Sequence, residues 1–109
     1  MKKNNIVLIG FMGSGKTTVG IRMSYYLRRT IEDTDKLIEK KYGKTISEIF
    51  AEEGEEYFRK AENALLKELI DKRNGYIISV GGGTPVREEN RPLLRELGTV
   101  VYFRVKPET

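Results

Sequence analysis

A lysine and a threonine close a glycine-rich run at residues 10–17, Gly-Phe-Met-Gly-Ser-Gly-Lys-Thr, which fits the pattern G-x-x-x-x-G-K-[ST]. The chemistry open to these residues is phosphate binding. Glycines let the backbone curl with positive φ and approach a ligand closely. Successive N–H groups then point inward as an anion nest, and a helix starting near Lys16 adds its positive end. Lys16 is placed to reach β- and γ-phosphates and the Thr17 hydroxyl to bind Mg²⁺. Gly13, Ser14, Gly15, Lys16, Thr17 and Thr18 are therefore the candidate phosphate-binding residues. The plainer alternative is a chance match on a glycine turn. Against it stand an apolar run ahead of the motif (Ile6 to Ile9) and Val19, Met23, Tyr26 and Leu27 at helical spacing behind it.

Three further groups could carry chemistry. Asp33 and Asp35 flank Thr34. In extended backbone they would point to opposite sides, one toward a metal ion and phosphates, the other toward a second ligand. A carboxylate beside a substrate hydroxyl could accept its proton or hold it for attack. The alternative is that one aspartate caps the following helix. Gly81, Gly82 and Gly83 are more glycines than a tight turn needs, which suggests close approach of backbone to a small polar ligand. A merely permissive loop is the other reading. Arg59 and Glu62 share a helix face, and spacing alone favours a surface ion pair of little worth.

The elements that must position these groups alternate as strand and helix, which implies an α/β fold with a parallel sheet and helices on its faces. Strands are expected at residues 5–10, around Ile31 ending at Asp33, at 76–80 and at 99–105. Helices are expected at 16–29, around Leu37 and Ile38 with a stop near Gly43, from a Thr45/Glu48 capping box through Phe50, and at 88–97 with a stop at Gly98. A longer helix between them carries Phe58, Ala61, Leu65, Leu66, Leu69 and Ile70 on one face and stops at Asn74-Gly75. Tyr42, Tyr57 and the other aromatics read as core or boundary residues. Ligands of an open parallel sheet bind beyond the carboxyl ends of its strands. The loops after strands one, two and three, with the phosphate motif, the two aspartates and the glycines, thus share one edge.

Composition narrows the chemistry. The chain has 109 residues, enough for one domain, spanning 1–109. It lacks cysteine and histidine, so catalysis must rest on carboxylates, lysine, arginine and backbone N–H groups. The net charge of +4 is interleaved rather than gathered into a basic stripe, which argues against nucleic-acid binding. No apolar run reaches transmembrane length, and the run at Ile6 is too short for a secretory signal, so no membrane partner and a cytoplasmic location are expected.

Taken together, residues 10–20, Asp33-Thr34-Asp35, Ile46 to Phe50, Gly54-Glu55-Glu56, Phe58-Arg59 with Glu62, Gly81-Gly82-Gly83, Glu89-Asn90-Arg91 and Gly98 to Tyr102 resemble the shikimate kinases. The resemblance covers nearly the whole chain in order, and the combination of D-T-D, F-R-x-x-E and G-G-G is far more specific than the phosphate motif. It implies a three-layer P-loop kinase fold of the nucleoside-monophosphate-kinase-like type, strand order 2-3-1-4-5, and ATP- and Mg²⁺-dependent phosphorylation of the shikimate 3-hydroxyl on the way to chorismate and aromatic amino acids. It implies Lys16 and Asp35 as catalytic residues, with Asp35 holding the reacting hydroxyl. Arg59 would pair with the shikimate carboxylate, oriented by Glu62, and Gly81, Gly82 and Gly83 would line the ring. Thr17 would be a metal ligand and Asp33 would support the metal's water shell. A kinase for gluconate or a nucleoside monophosphate, or a non-catalytic nucleotide-binding module, is the alternative.

The family pattern and this chain differ in two places. Val80 precedes the glycines where many members have threonine. Family members also continue into a lid with a phosphate-reaching arginine, a second substrate-binding arginine, an adenine-contacting loop, a fifth strand and a last helix. The chain is thus expected to be an interrupted fold that is incomplete at its C-terminus, to bind phosphate or nucleotide, to turn over poorly, and to self-associate through its fourth strand.

Overall fold

A computed structural model of the protein describes residues 4–10, 16–81 and 84–103; the side chains of residues 16–19, 102 and 103 fall outside it. Four strands, β1 (Asn5–Gly10), β2 (Ile31–Asp33), β3 (Ile77–Val80) and β4 (Gly98–Phe103), form one sheet in the order β2-β3-β1-β4. All three pairings are parallel. This is the described part of the expected order. Residues 104 and 105, expected to continue the fourth strand, lie outside the described residues.

The helices are α1 (Lys16–Leu27), α2 (Thr34–Tyr42), α3 (Ile46–Glu53), α4 (Glu55–Lys72) and α5 (Arg91–Leu97), with 3₁₀ turns at Thr84–Val86 and Glu88–Asn90. Their ends follow local chemistry. Thr45 Oγ1 accepts from the Glu48 N–H, and Glu48 returns the bond to the Thr45 N–H, so the capping box opens α3 as expected. That backbone bond is the main reason the exposed Glu48 carboxyl is held below its ordinary value. Gly54 ends α3 and begins α4 at φ 89° and ψ 169°, a conformation essentially reserved to glycine. α1 stops two residues short of the expected end, and α4 stops at Lys72, ahead of Asn74-Gly75. The last expected helix splits. Residues 88–90 wind as a 3₁₀ turn, and the α-helix starts at Arg91 with Pro92 in its first turn, where a missing N–H costs nothing.

Alternation along each strand sorts the core into two faces. Val7, Ile9, Ile78 and Val80 pack with Ile38, Ile49, Phe58, Leu65, Leu66, Leu69, Leu94 and Leu97 from α2 to α5. Leu8 and Ile77 are buried on the opposite face, where α1 lies close enough that a Cβ on Gly20 would meet Ile31 and Leu8. The connection from β1 runs to one side of the sheet and the connection from β3 to the other. Their right-handed crossovers therefore put α1 and α5 on opposite faces and open a crevice between the ends of β1 and β3.

At the other end of the strands a buried asparagine ties three elements together. Asn5 Nδ2 donates to the carbonyls of Leu97 (2.8 Å) and Arg73 (3.1 Å), and its Oδ1 accepts from the Tyr76 N–H (2.8 Å). Gly98 lies against this residue, and a side chain there would collide with the Asn5 backbone carbonyl. Backbone cannot yield as a side-chain tip can. Gly98→Ala is expected to lower stability by about 2 kcal/mol or more in urea denaturation, whereas an unchanged midpoint would show that β1 and β4 can separate without cost.

Candidate functional site

The described groups with candidate chemistry sit at the carboxyl edge of the sheet. α1 starts at Lys16 directly beyond β1, which puts a helix N-terminus at the crevice. Gly13, Ser14 and Gly15 lie outside the described residues, as do the side chains of Lys16, Thr17 and Thr18. Gly82 and Gly83 are also outside. The substrate half of the site, Asp33, Asp35, Arg59 and Gly81, is described.

The two aspartates do not flank an extended segment. Asp33 ends β2 in extended geometry (φ −111°, ψ 124°), and Asp35 is already in the first turn of α2. Asp33 Oδ1 accepts from the N–H groups of Asp35 (2.9 Å) and Lys36 (3.3 Å), so it is the helix cap. Strand alternation, expected to send the pair to opposite sides, does not apply here: the cap turns the chain into helix before Asp35 is reached. Pairing Asp33 with Ser79, and Leu8 with Ser79, puts Asp33 on the sheet face that carries α1. Asp35 instead turns toward the loop after β3. A Cβ built on Gly81 would stand 3.9 Å from Asp35 Oδ2 and 4.0 Å from Thr84 Oγ1. Those are ordinary contacts, so protein packing does not require glycine here. A side chain would occupy the space between these two oxygens.

Arg59 projects from the first turns of α4. Its Nη1 donates to both oxygens of Glu62 (3.2 and 3.5 Å), and its Nη2 lies 3.6 Å from Glu55 Oε2. Its guanidinium carbon stands 5.3 Å from the centroid of Phe58, which packs against Phe50 with centroids 5.0 Å apart. The expectation of a surface pair is overturned by burial: Glu62 is 2% exposed and Arg59 18%. Glu55, at 66%, is an exposed counter-ion. An open cleft of about 330 Å³ lies beside Arg59, lined also by Glu56, Lys60, Asn63, Arg87 and Glu89. The Glu56 carboxylate, bonded to Arg87, raises that guanidinium's pKa further. Tyr42 and Tyr57 meet edge to face with centroids 5.9 Å apart, a boundary contact between α2 and α4. Tyr25 and Tyr26 on α1 are instead exposed, so the expectation of core or boundary places does not hold for them.

Glu62 connects Arg59 to the glycine loop. Its Oε2 accepts from Thr84 Oγ1 (2.8 Å) and its Oε1 from Asn90 Nδ2 (3.4 Å). The Thr84 N–H in turn donates to the Gly81 carbonyl (3.1 Å). A continuous path thus runs from Arg59 through Glu62 and Thr84 to Gly81, which faces Asp35. Thr84 carries no signal in the sequence beyond its place after the glycines. Asn90 appears there only within a family motif.

A parallel sheet with a helix starting at its crevice, preceded in sequence by the phosphate motif, is the α/β arrangement of P-loop kinase folds. Comparison with known proteins narrows the class. A model of the family described as shikimate kinase matches residues 12–109. The chain is 45% identical over 102 residues to a shikimate kinase of Dictyoglomus turgidum, covering 94% of this chain and 59% of that one. It is 47% identical over 100 residues to one of Nitrosospira multiformis, covering 92% and 51%. The shikimate kinase of Acinetobacter baumannii, solved in complex with shikimate, superposes with a TM-score of 0.87 at 42% identity, covering 95% of this chain and 57% of that one. The Aquifex aeolicus enzyme gives 0.84 at 42%, covering 94% and 60%. The chain belongs to the shikimate kinase family, and it spans between about half and three fifths of the length of these relatives.

One polar atom near the site has no partner. Thr34, between the aspartates, is 1% exposed, and among the described residues its Oγ1 is the buried side-chain oxygen left without a hydrogen bond. Valine keeps its shape and removes the hydroxyl. Thr34→Val is expected to raise stability by about 1 kcal/mol in urea denaturation, and a loss of stability would show that the hydroxyl makes a bond the fold depends on.

Proposed function

We propose that this chain is the nucleotide- and substrate-binding core of a shikimate kinase, which transfers the γ-phosphoryl group of ATP to the 3-hydroxyl of shikimate in aromatic amino acid biosynthesis. The observation that carries the reading is the path that joins Arg59 through Glu62 and Thr84 to Gly81, with Asp35 standing beside that glycine. A planar guanidinium held on one side by Glu62 still offers donors to a planar carboxylate. Asp35 beside Gly81 suits a ring hydroxyl brought close to backbone, and the space above Gly81 suits the ring. Asp35 would accept the hydroxyl proton as that oxygen bonds to the γ-phosphorus and the bond from phosphorus to the β–γ bridging oxygen breaks, releasing ADP. Arg59 holds the far end of the substrate so that the hydroxyl meets the phosphate in line. Residues 13–18, with Lys16, would hold the phosphates.

The residues present fit Mg²⁺, which keeps most of its waters and takes one or two protein oxygens. Asp33 lies on the face of α1, and the cap involves its Oδ1. It would steady the ion's water shell while Thr17 supplies a direct ligand. When bound, Mg²⁺ would neutralise negative charge developing on the phosphoryl group being transferred. The proposal includes a cytoplasmic protein that acts on small molecules. Among the described residues no helix is long and apolar enough to cross a membrane.

Calorimetric titration tests the reading. Shikimate is expected to bind, gluconate and a nucleoside monophosphate to bind more weakly, and Arg59→Ala to weaken shikimate by about tenfold or more. Tighter binding of gluconate or the monophosphate would overturn it. Glu55 shares the Arg59 guanidinium with the incoming carboxylate, so Glu55→Gln is expected to tighten shikimate binding by about two- to threefold. Unchanged affinity would show that Glu55 does not compete.

A further inference from the structure

Glu62 is buried in a polar cluster built jointly by α4 and the two 3₁₀ turns that follow the glycines. Its carboxylate receives Arg59 Nη1, Thr84 Oγ1 and Asn90 Nδ2. The cluster closes on itself, because Asn90 Nδ2 also donates to the Thr84 carbonyl (3.0 Å) and Asn90 Oδ1 accepts from Asn63 Nδ2 (2.9 Å). Thr84 and Asn90 are each 1% exposed. A carboxylate on a helix can turn about its own side-chain bonds. Here a donor from each of two successive 3₁₀ turns removes that freedom, and the donors come from the segment that follows the glycines.

We propose that Thr84 and Asn90 are positioning residues for substrate: through Glu62 they fix the Arg59 guanidinium and lock its place to the Gly81 turn, so that the carboxylate-binding and hydroxyl-binding ends of the site are set at one distance. The proposal rests on the reading of Arg59 as the group that binds the substrate carboxylate. Its physical content is preorganisation. Without the Thr84 hydroxyl, Glu62 loses its shortest bond and Arg59 is held by a carboxylate that can rotate. The loss falls on ligand groups that touch Arg59 and on no others.

A purely structural role for the cluster makes a different prediction, and a ligand pair separates the two. Shikimate and its carboxamide are titrated into the wild-type chain and into Thr84→Val, Thr84→Ser and Asn63→Ala, with thermal unfolding followed on each. Thr84→Val is expected to weaken shikimate about tenfold, to leave the affinity of the carboxamide and of ATP within about twofold, and to be rescued by Thr84→Ser. Asn63→Ala acts at the half-buried outer end of the cluster, where folding is least at risk, and is expected to show the same selectivity at smaller size. Equal loss for shikimate and carboxamide, or no loss for either in the folded variants, would overturn the proposal. Arg59→Ala serves as the separate control. If it leaves shikimate binding unchanged, the reading of Arg59 fails, whereas selective loss in Arg59→Ala without loss in Thr84→Val and Asn63→Ala sinks only the positioning role.

Discussion

The site depends on satisfying one buried charge. The Glu62 carboxylate has left water and must find its partners inside the protein, and the partners available come from different parts of the chain. Arg59 supplies the opposite charge from one turn earlier on α4. Thr84 and Asn90 supply neutral donors from the loop that leads from β3 to α5. Meeting this constraint joins helix α4 to the glycine loop and brings a guanidinium to the edge of the sheet where Asp35 waits.

The parallel sheet provides the frame within which that constraint acts. Strands β1 and β3 are neighbours whose onward connections leave in opposite directions, so their carboxyl ends border an open crevice. α1 begins on one side of it, and the Gly81–Thr84 turn stands on the other. The Asp33 cap connects the two, because it turns β2 into α2 within one residue and sends Asp35 toward the turn while Asp33 stays on the α1 face. At the opposite end of the strands, Asn5 and Gly98 hold β1 and β4 tightly enough that the crevice has a firm base.

Much of the architecture was legible because its signals are local. The Thr45/Glu48 box, the stop at Gly43, the apolar face of α4 and the β-branched strands each act within a few residues, and the structure keeps each of them. Elsewhere one local rule meets a competing one. Across Asp33, Thr34 and Asp35, strand alternation competes with the capping preference of aspartate, and capping ends the strand. From residue 88 the helical pattern competes with Pro92, which fits best in the first turn of an α-helix, so the preceding residues wind more tightly. For Arg59 and Glu62 the spacing was right and the burial was missed, since helical periodicity gives the shared face and not what packs over it.

By itself the sequence determined the element order, the parallel α/β class, the loops that carry chemistry and, through motifs spread along the chain, the family. These follow from short-range sterics, capping and hydrophobic period, or from residue types that stand in the chain in plain order. Tertiary structure alone decided that Asp33 is a cap and Asp35 the residue that faces the glycine turn. It also decided that Glu62 is buried, and that Thr84 and Asn90 close the path from Arg59 to Gly81. Those outcomes depend on donors and acceptors separated by more than twenty residues and chosen by what burial leaves unsatisfied, and no local pattern encodes that choice.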